Sequence, residues 1–186
     1  MKFIKLFFLP LIFLPLFSSA QDIHFSQLTQ TPLLLNPALA GMSHKAMVII
    51  NFKDQWKSVS ATPYRTFNVS ADMAYNKKKN GSHLGIGVDV FSDKAGDGAM
   101  GTTTAQLHLS GILAANNKNL LSLGISGGFG QRSLNYEKLY WDNQYDGMAY
   151  NPALLSGEPN TFGNHSYVDA SAGLAWFYGA GHSTLS

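Results

Sequence analysis

The stretch "TFNVSADMAY", residues 66–75, alternates apolar and polar residues along its whole length. Phe67, Val69, Ala71, Met73 and Tyr75 fall on one face of a strand; Thr66, Asn68, Ser70 and Asp72 fall on the other. At about 3.3 Å per residue, Phe67 and Tyr75 stand roughly 26 Å apart. A strand tilted by about 40° then rises about 20 Å, close to the apolar band of a membrane barrel edged by aromatic residues. Strands of soluble sandwiches also alternate, but seldom over so long a run.

Five further segments repeat the pattern. In 83–93, Leu84, Ile86, Val88 and Val90 oppose Gly85, Gly87 and Asp89; in 104–113, Ala105, Leu107, Leu109 and Leu113 oppose Thr104, Gln106, His108 and Ser110. In 120–130, Leu121, Leu123, Ile125 and Phe129 oppose Ser122, Gly124, Ser126 and Gly128. In 168–178, Val168, Leu174, Trp176 and Tyr178 oppose Asp169, Ser171 and Gly173. Segment 46–56 is less clean, because Met47 and Ile49 blur the start of a face made by Val48, Ile50, Phe52 and Trp56. Trp56, Phe67, Tyr75, Phe129, Trp176 and Tyr178 are the candidate membrane-girdle aromatics. No apolar run after residue 20 is long enough for a membrane helix. The expected fold class is all-β: a transmembrane antiparallel outer-membrane β-barrel with about six strands in this chain.

Residues 1–20 stand apart from that pattern. Lys2 and Lys5 precede an apolar run over 6–17, and Ser18 and Ala20 supply small residues before Gln21, the pattern of a secretory signal peptide. The expected division is a signal peptide at 1–20, a lead segment at 21–45 and a barrel at 46–186. The chain has no cysteine, which argues against disulfides, thiol catalysis, thiolate metal sites and a lipid anchor on cysteine. Without Lys2 and Lys5, the thirteen Lys and Arg fall to eleven, against eleven Asp and Glu. A neutral chain gives no general attraction to nucleic acid. Charged residues make up 13% of the sequence, about half the usual share, which suits a surface facing lipid.

With a periplasmic N-terminus, even-numbered connections should be short turns and odd-numbered ones outer loops. Residues 76–82 and 115–119 are short and rich in Asn, Gly and Lys, whereas 57–65, 93–103 and 131–165 are the expected outer loops. The closing residues "GAGHSTLS" read as a turn entering a seventh strand, so the chain is expected to be the N-terminal part of a larger barrel.

No catalytic, cofactor-binding or metal-binding residue is assigned. His108 and Ser110 share the polar face and His165 adjoins Ser166, but neither pair comes with a nucleophile elbow. Asp93 with Asp97, and Asp142 with Asp146, lie beside glycines without the ligand spacing of an EF-hand; turn residues are the simpler account, with calcium as the competing one. The lysines at 77–79 read as a solvated turn. The glycines of "GISGGFG" sit inside a strand pattern and leave room on the polar face for a plug or partner.

Three motifs remain. Phe25, Ser26 and Gln27 are followed by "NPALAG", running from Asn36 and Pro37 to Gly41. Gln55 and Trp56 precede Ala61, Thr62 and Pro63, and Asp93, Lys94 and Gly96 follow the third strand. Together they resemble the PorP/SprF family of type IX secretion system membrane proteins, over nearly all of residues 21–178, and 142–152 is similar too. The resemblance implies a non-enzymatic outer-membrane barrel of a Bacteroidota-type envelope, without cofactors, acting in secretion and gliding motility. The partners it implies are outer-membrane lipid, a periplasmic ring, a peptidoglycan-binding protein and secreted cargo carrying a C-terminal sorting domain. A passive porin or small-solute transporter is the alternative; it needs an open, charged constriction, whereas the polar face reads as Gly/Ser/Thr-rich with few charges.

The lead has its own logic. Asn36 suits an N-cap, Pro37 the first helical position and Gly41 the residue past the end of a single turn. Thr31 and Pro32 break whatever precedes that turn. Phe25, Leu28 and the leucines at 33–35 need burial, in the periplasmic mouth of the lumen or against a partner there.

Overall fold

The computed structural model describes residues 30–58, 63–76, 81–96, 100–116, 118–136, 139–157 and 163–179. The expected signal peptide at 1–20, the motif residues Phe25, Ser26 and Gln27, and Leu28, Ala61, Thr62, Asp97 and the lysines at 77–79 lie outside them. Six strands follow one another: β1 (Ala46–Gln55), β2 (Tyr64–Tyr75), β3 (His83–Ala95), β4 (Met100–Asn116), β5 (Asn119–Ser133) and β6 (Asn164–Tyr178). They form one antiparallel sheet in sequence order, so every connection is a hairpin. Among the described residues the sheet is open, with β1 and β6 at its edges.

The register turns the alternation of each strand into continuous rows. Ile50, Val69, Val90, Ala105, Phe129 and Val168 form one row; Val48, Ala71, Val88, Leu107, Gly127 and Ala170 form the next row on that face. On the opposite face, Ile49, Ser70, Asp89, Gln106, Gly128 and Asp169 form a row beside that of Met47, Asp72, Gly87, His108, Ser126 and Ser171. Burial follows the reverse of a soluble sheet: Asn68, Asp89 and His108 are at most 1% exposed, while Leu107 is 65% and Val168 82% exposed. An aliphatic surface of this extent is stable against lipid rather than water. Among the described residues no helix is long and apolar enough to cross a membrane. This wall crosses with strands.

The apolar band drifts along the rows. Its outer limit runs through Phe52 and Phe67 on β1 and β2, but one row lower, at Phe129 and Val168, on β5 and β6. Its inner limit moves the same way, from Tyr75 on β2, whose row meets β6 at Leu174, to Trp176 and Tyr178 on β6. Rows perpendicular to tilted strands cross a horizontal slab obliquely, so this drift is what tilt produces.

Two features depart from the sequence reading. β3 and β4 continue to Ala95 and from Met100, leaving only 96–99 between them, so 93–103 is not a long outer loop and the short/long parity fails there. β-branched Thr102, Thr103 and Thr104 extend the ladder beyond the apolar band, and Asp93 and Lys94 belong to β3 rather than following it. Met47 and Ile49, which blurred the first strand, are half-buried on the polar face.

Candidate functional site: the polar face and the segment docked on it

Before β1 the chain forms two short helical turns. Helix α1 (Pro32–Leu35) has proline in its first turn, and the Asn36 amide donates to Pro32 O. A 3-10 turn (Pro37–Leu39) follows, with Asn36 as its N-cap: Asn36 Oδ1 accepts from Ala38 N at 2.9 Å. Gly41 ends the unit at φ 65, the left-handed region that glycine enters without strain.

This unit lies on the polar face and touches all six strands. Asn51 of β1 donates to Gln30 O (3.2 Å), and Asp72 of β2 accepts from Gly41 N (2.7 Å). His83 of β3 meets Gly41 O through Nε2 (2.8 Å) and Gly81 O through Nδ1 (2.8 Å). Ser110 of β4 donates to Ala40 O (2.7 Å), and Ser122 of β5 donates to Ala38 O (2.6 Å). Asn36 Nδ2 donates to Leu174 O of β6 (3.1 Å). Ala38, Ala40, Leu33 and Met42 are buried, but Leu35 is 56% exposed, against the expectation that all three leucines at 33–35 would be buried. In a short helical turn, successive side chains point about 100° apart, so one of three must face away.

The docking spans neighbouring strands. In a flat sheet β2 and β4 lie about 9.6 Å apart, twice the strand spacing. Yet Ala40 bonds to β4 and its neighbour Gly41 to β2, one residue of about 3.8 Å further on. The Asp72 and Ser110 side chains close that gap by reaching toward the segment from strands on either side of it. Glycines make the approach possible: a Cβ at Gly85 would overlap the Ala40 main chain, one at Gly124 the main chain of Pro37 and Ala38, and one at Gly173 the Asn36 side chain. The segment sits at the short-turn end, since its partners lie near the end of β2, the start of β3, the end of β4 and the start of β5.

Further along the polar face, side chains cross-link neighbouring strands. Asp89 accepts from Asn68 Nδ2 (3.0 Å) and meets His108 Nε2 (3.2 Å), all three being buried. Asn68 Oδ1 and His108 Nδ1 have no partner among the described residues. Thr66 donates to Asp93 (2.5 Å), and Ser126 and Ser171 share a bond of 2.6 Å. Gln106 of β4 reaches Asp169 of β6 (2.9 Å) over Gly128 of β5, where a Cβ would meet Gln106. Asp72, Asp89, Asp93 and Asp169 make this face more acidic than its Gly/Ser/Thr content suggested.

At the opposite end, Gln55 closes β1 opposite Tyr64, and Trp56 stands at φ 61 with its ring edge-on to Tyr64 at 5.1 Å. A left-handed conformation is uncommon for tryptophan, and the ring contact holds it there. Pro63 leads into β2, and Gly96, at φ 69, follows β3. The loop between β5 and β6 carries Tyr136 stacked on Trp141 and Tyr150 edge-on to both Tyr140 and Tyr145. Tyr136, Leu139, Trp141, Gln144, Tyr150 and Leu154 are among the residues lining a groove of about 400 Å³ there. Gln144 props it by donating to Leu154 O (3.1 Å) and accepting from the Tyr150 hydroxyl (3.2 Å). Asp146 accepts from Met148 N and Ala149 N, both at 2.9 Å, and these bonds hold its carboxyl below the ordinary carboxylate value. That is a turn role.

The structure thus brings Asn36, Pro37 and Gly41 together on the polar face and keeps Gln55, Trp56, Pro63 and Gly96 at the other end. Of the proposed girdle aromatics, Phe67, Tyr75, Phe129, Trp176 and Tyr178 lie on the exposed outward face, and Trp56 sits just past the end of β1. His165 stacks on Tyr167, two residues on, so Ser166 faces the other way; the Ser110 hydroxyl is committed to Ala40 O and His108 to Asp89. Among the described residues no group of three or more His, Cys, Asp or Glu could hold a metal ion. Sequence reading missed Asp72, His83, Ser110 and Ser122 as partners of the lead. Their strand positions were legible, and burial of the lead in the lumen mouth was one of two readings, but the individual contacts were not.

An antiparallel sheet with one exposed apolar face and one buried polar face defines a membrane β-sheet wall. The family model for the type IX secretion system membrane protein PorP/SprF matches residues 17–185, and the chain belongs to that family. No curated protein and no solved structure matches it.

Proposed function

We infer that this protein is an outer-membrane component of the type IX machinery that serves export or surface attachment of large secreted proteins. The supporting observation is the contrast between the two ends of one membrane wall. At the short-turn end the lead fills the polar face as a plug of the periplasmic mouth, beside the turns that meet the periplasmic ring and the peptidoglycan-binding partner. At the long-loop end the tyrosine-rich loop between β5 and β6 offers rigid amphipathic side chains, Tyr140 being 72% and Tyr145 60% exposed, of the kind that dominate protein-recognition surfaces. That loop is the cargo face.

Pull-down from native outer membranes tests the reading. The protein should retain secreted cargo, and Tyr140→Ala with Tyr145→Ala should lose it while keeping the periplasmic partners. Large, steady conductance of the unmodified protein in planar bilayers, with no cargo retained, would favour a passive pore instead.

A further inference from the structure

The lead is held differently from every other segment on the polar face. Over residues 31–42 its main-chain hydrogen bonds are internal: Leu35 to Thr31, Asn36 to Pro32, Leu39 to Asn36, Ala40 to Pro37 and Met42 to Leu39; main chain meets the sheet's main chain at Lys45, whose O accepts from Ala74 N (2.9 Å). The strand ladders from β1 to β6 run continuously without it. All the bonds described above that join residues 36–41 to the sheet have a side chain on one side and main chain on the other. Exposed residues 43–45 then tether it to β1. Lifting residues 31–42 away would break no ladder bond and leave their own turns satisfied.

The wall, for its part, has the features of a peptide-binding site. Ser122, Ser110 and His83 address successive carbonyls of Ala38, Ala40 and Gly41, and Asp72 addresses the Gly41 amide. Gly85 and Gly124 form a floor that admits main chain at contact distance. A Cβ at Gly41 would meet the Met73 carbonyl at 2.6 Å and the Gly85 Cα at 2.7 Å, besides straining its left-handed φ. The site therefore reads backbone, selects small residues facing the wall and demands glycine at the end. A proline-initiated turn presents that backbone with little entropy left to lose.

We propose that the polar face at the short-turn end is an exchangeable peptide site, filled in cis by this chain's lead and open in trans to a peptide of the pattern Asn-Pro-Ala-x-Ala-Gly. The proposal rests on the lead being a plug and adds that the plug is a ligand, recognised through its main chain.

The absence of native cysteine makes the test direct. Ile112→Cys places a thiol at a buried position between His83 of β3 and Ser122 of β5, outside the bonds that hold the lead. In the full chain, in outer-membrane vesicles, maleimide should label that thiol slowly. Adding Gly41→Ala should raise the rate at least tenfold, and a synthetic peptide of residues 31–43 should restore protection. The same peptide carrying Gly41→Ala should not. If Gly41→Ala fails to assemble, as read by strand content in circular dichroism, deletion of residues 22–40, which leaves every wall residue in place, carries the peptide-protection test. Faster labelling that the peptide fails to reverse would overturn the peptide site and leave the plug standing. Unchanged labelling after deletion of residues 22–40 would overturn both.

Discussion

The two ends of this wall use opposite means of recognition. At the short-turn end, polar side chains projecting from strands hold the main chain of a docked segment, and glycines set how near it comes. At the long-loop end, aromatic side chains cluster around a groove and remain largely exposed. The first arrangement closes a surface with a segment of the chain itself, whereas the second leaves one available. Packing between fixed backbones tolerates little change, so substitutions at the inner end should be felt in assembly. Those in the outer loop should be felt in binding.

The largest expected effect lies between the ends. Asp89→Ala leaves Asn68 and His108 buried without their shared partner and should cost about 3–5 kcal/mol. Tryptophan fluorescence during urea unfolding in micelles measures it, and a loss under about 1 kcal/mol would mean the cluster is dispensable. Next come two glycines three residues apart on β5. Gly124→Val drives a side chain into Pro37 and Ala38 and should cost about 3 kcal/mol and expel the lead. Gly127→Val, with nothing within 4 Å, should change stability by less than about 0.5 kcal/mol. Equal effects would break the contrast between the inner and outward faces.

A smaller change is expected for Ser122→Ala, which removes one hydroxyl bonded to Ala38 O and should cost about 1 kcal/mol by the same unfolding measurement. The smallest belongs to Asp146. Its lowered carboxyl value means that the charged form is the one the Met148 and Ala149 amides favour. The loop's order should hold at neutral pH and weaken as pH falls through that lowered value. Limited proteolysis within 139–157 should therefore quicken in acid, and Asp146→Ala should abolish that pH dependence without altering sheet assembly.

Much of the wall was legible in the sequence. The alternation of 66–75, the signs of a turn in "NPALAG" and the short Asn-rich connection at 115–119 are local, and each reports on its own backbone. Asn116 bears out the last of these, its Oδ1 accepting from the amides of Lys118 and Asn119. The length of β3 and β4 was not legible, because Asp93 and Lys94 resemble loop residues until pairing with Thr102 and Gly101 draws them into a ladder. Nor could the acidic cluster be read, since Asp89 acquires Asn68 and His108 only through the register of three strands.

By itself the sequence determined which residues face lipid and which face inward, because side chains of a strand alternate by stereochemistry alone. It also determined where the lead would turn, because proline and glycine restrict or free their own backbone dihedrals. Only the tertiary structure decided that the lead docks on the polar face, with Gly41 held between Asp72 and His83. Those contacts join residues 31 and 42 positions apart, and the pairing of β2 with β3 brings them together.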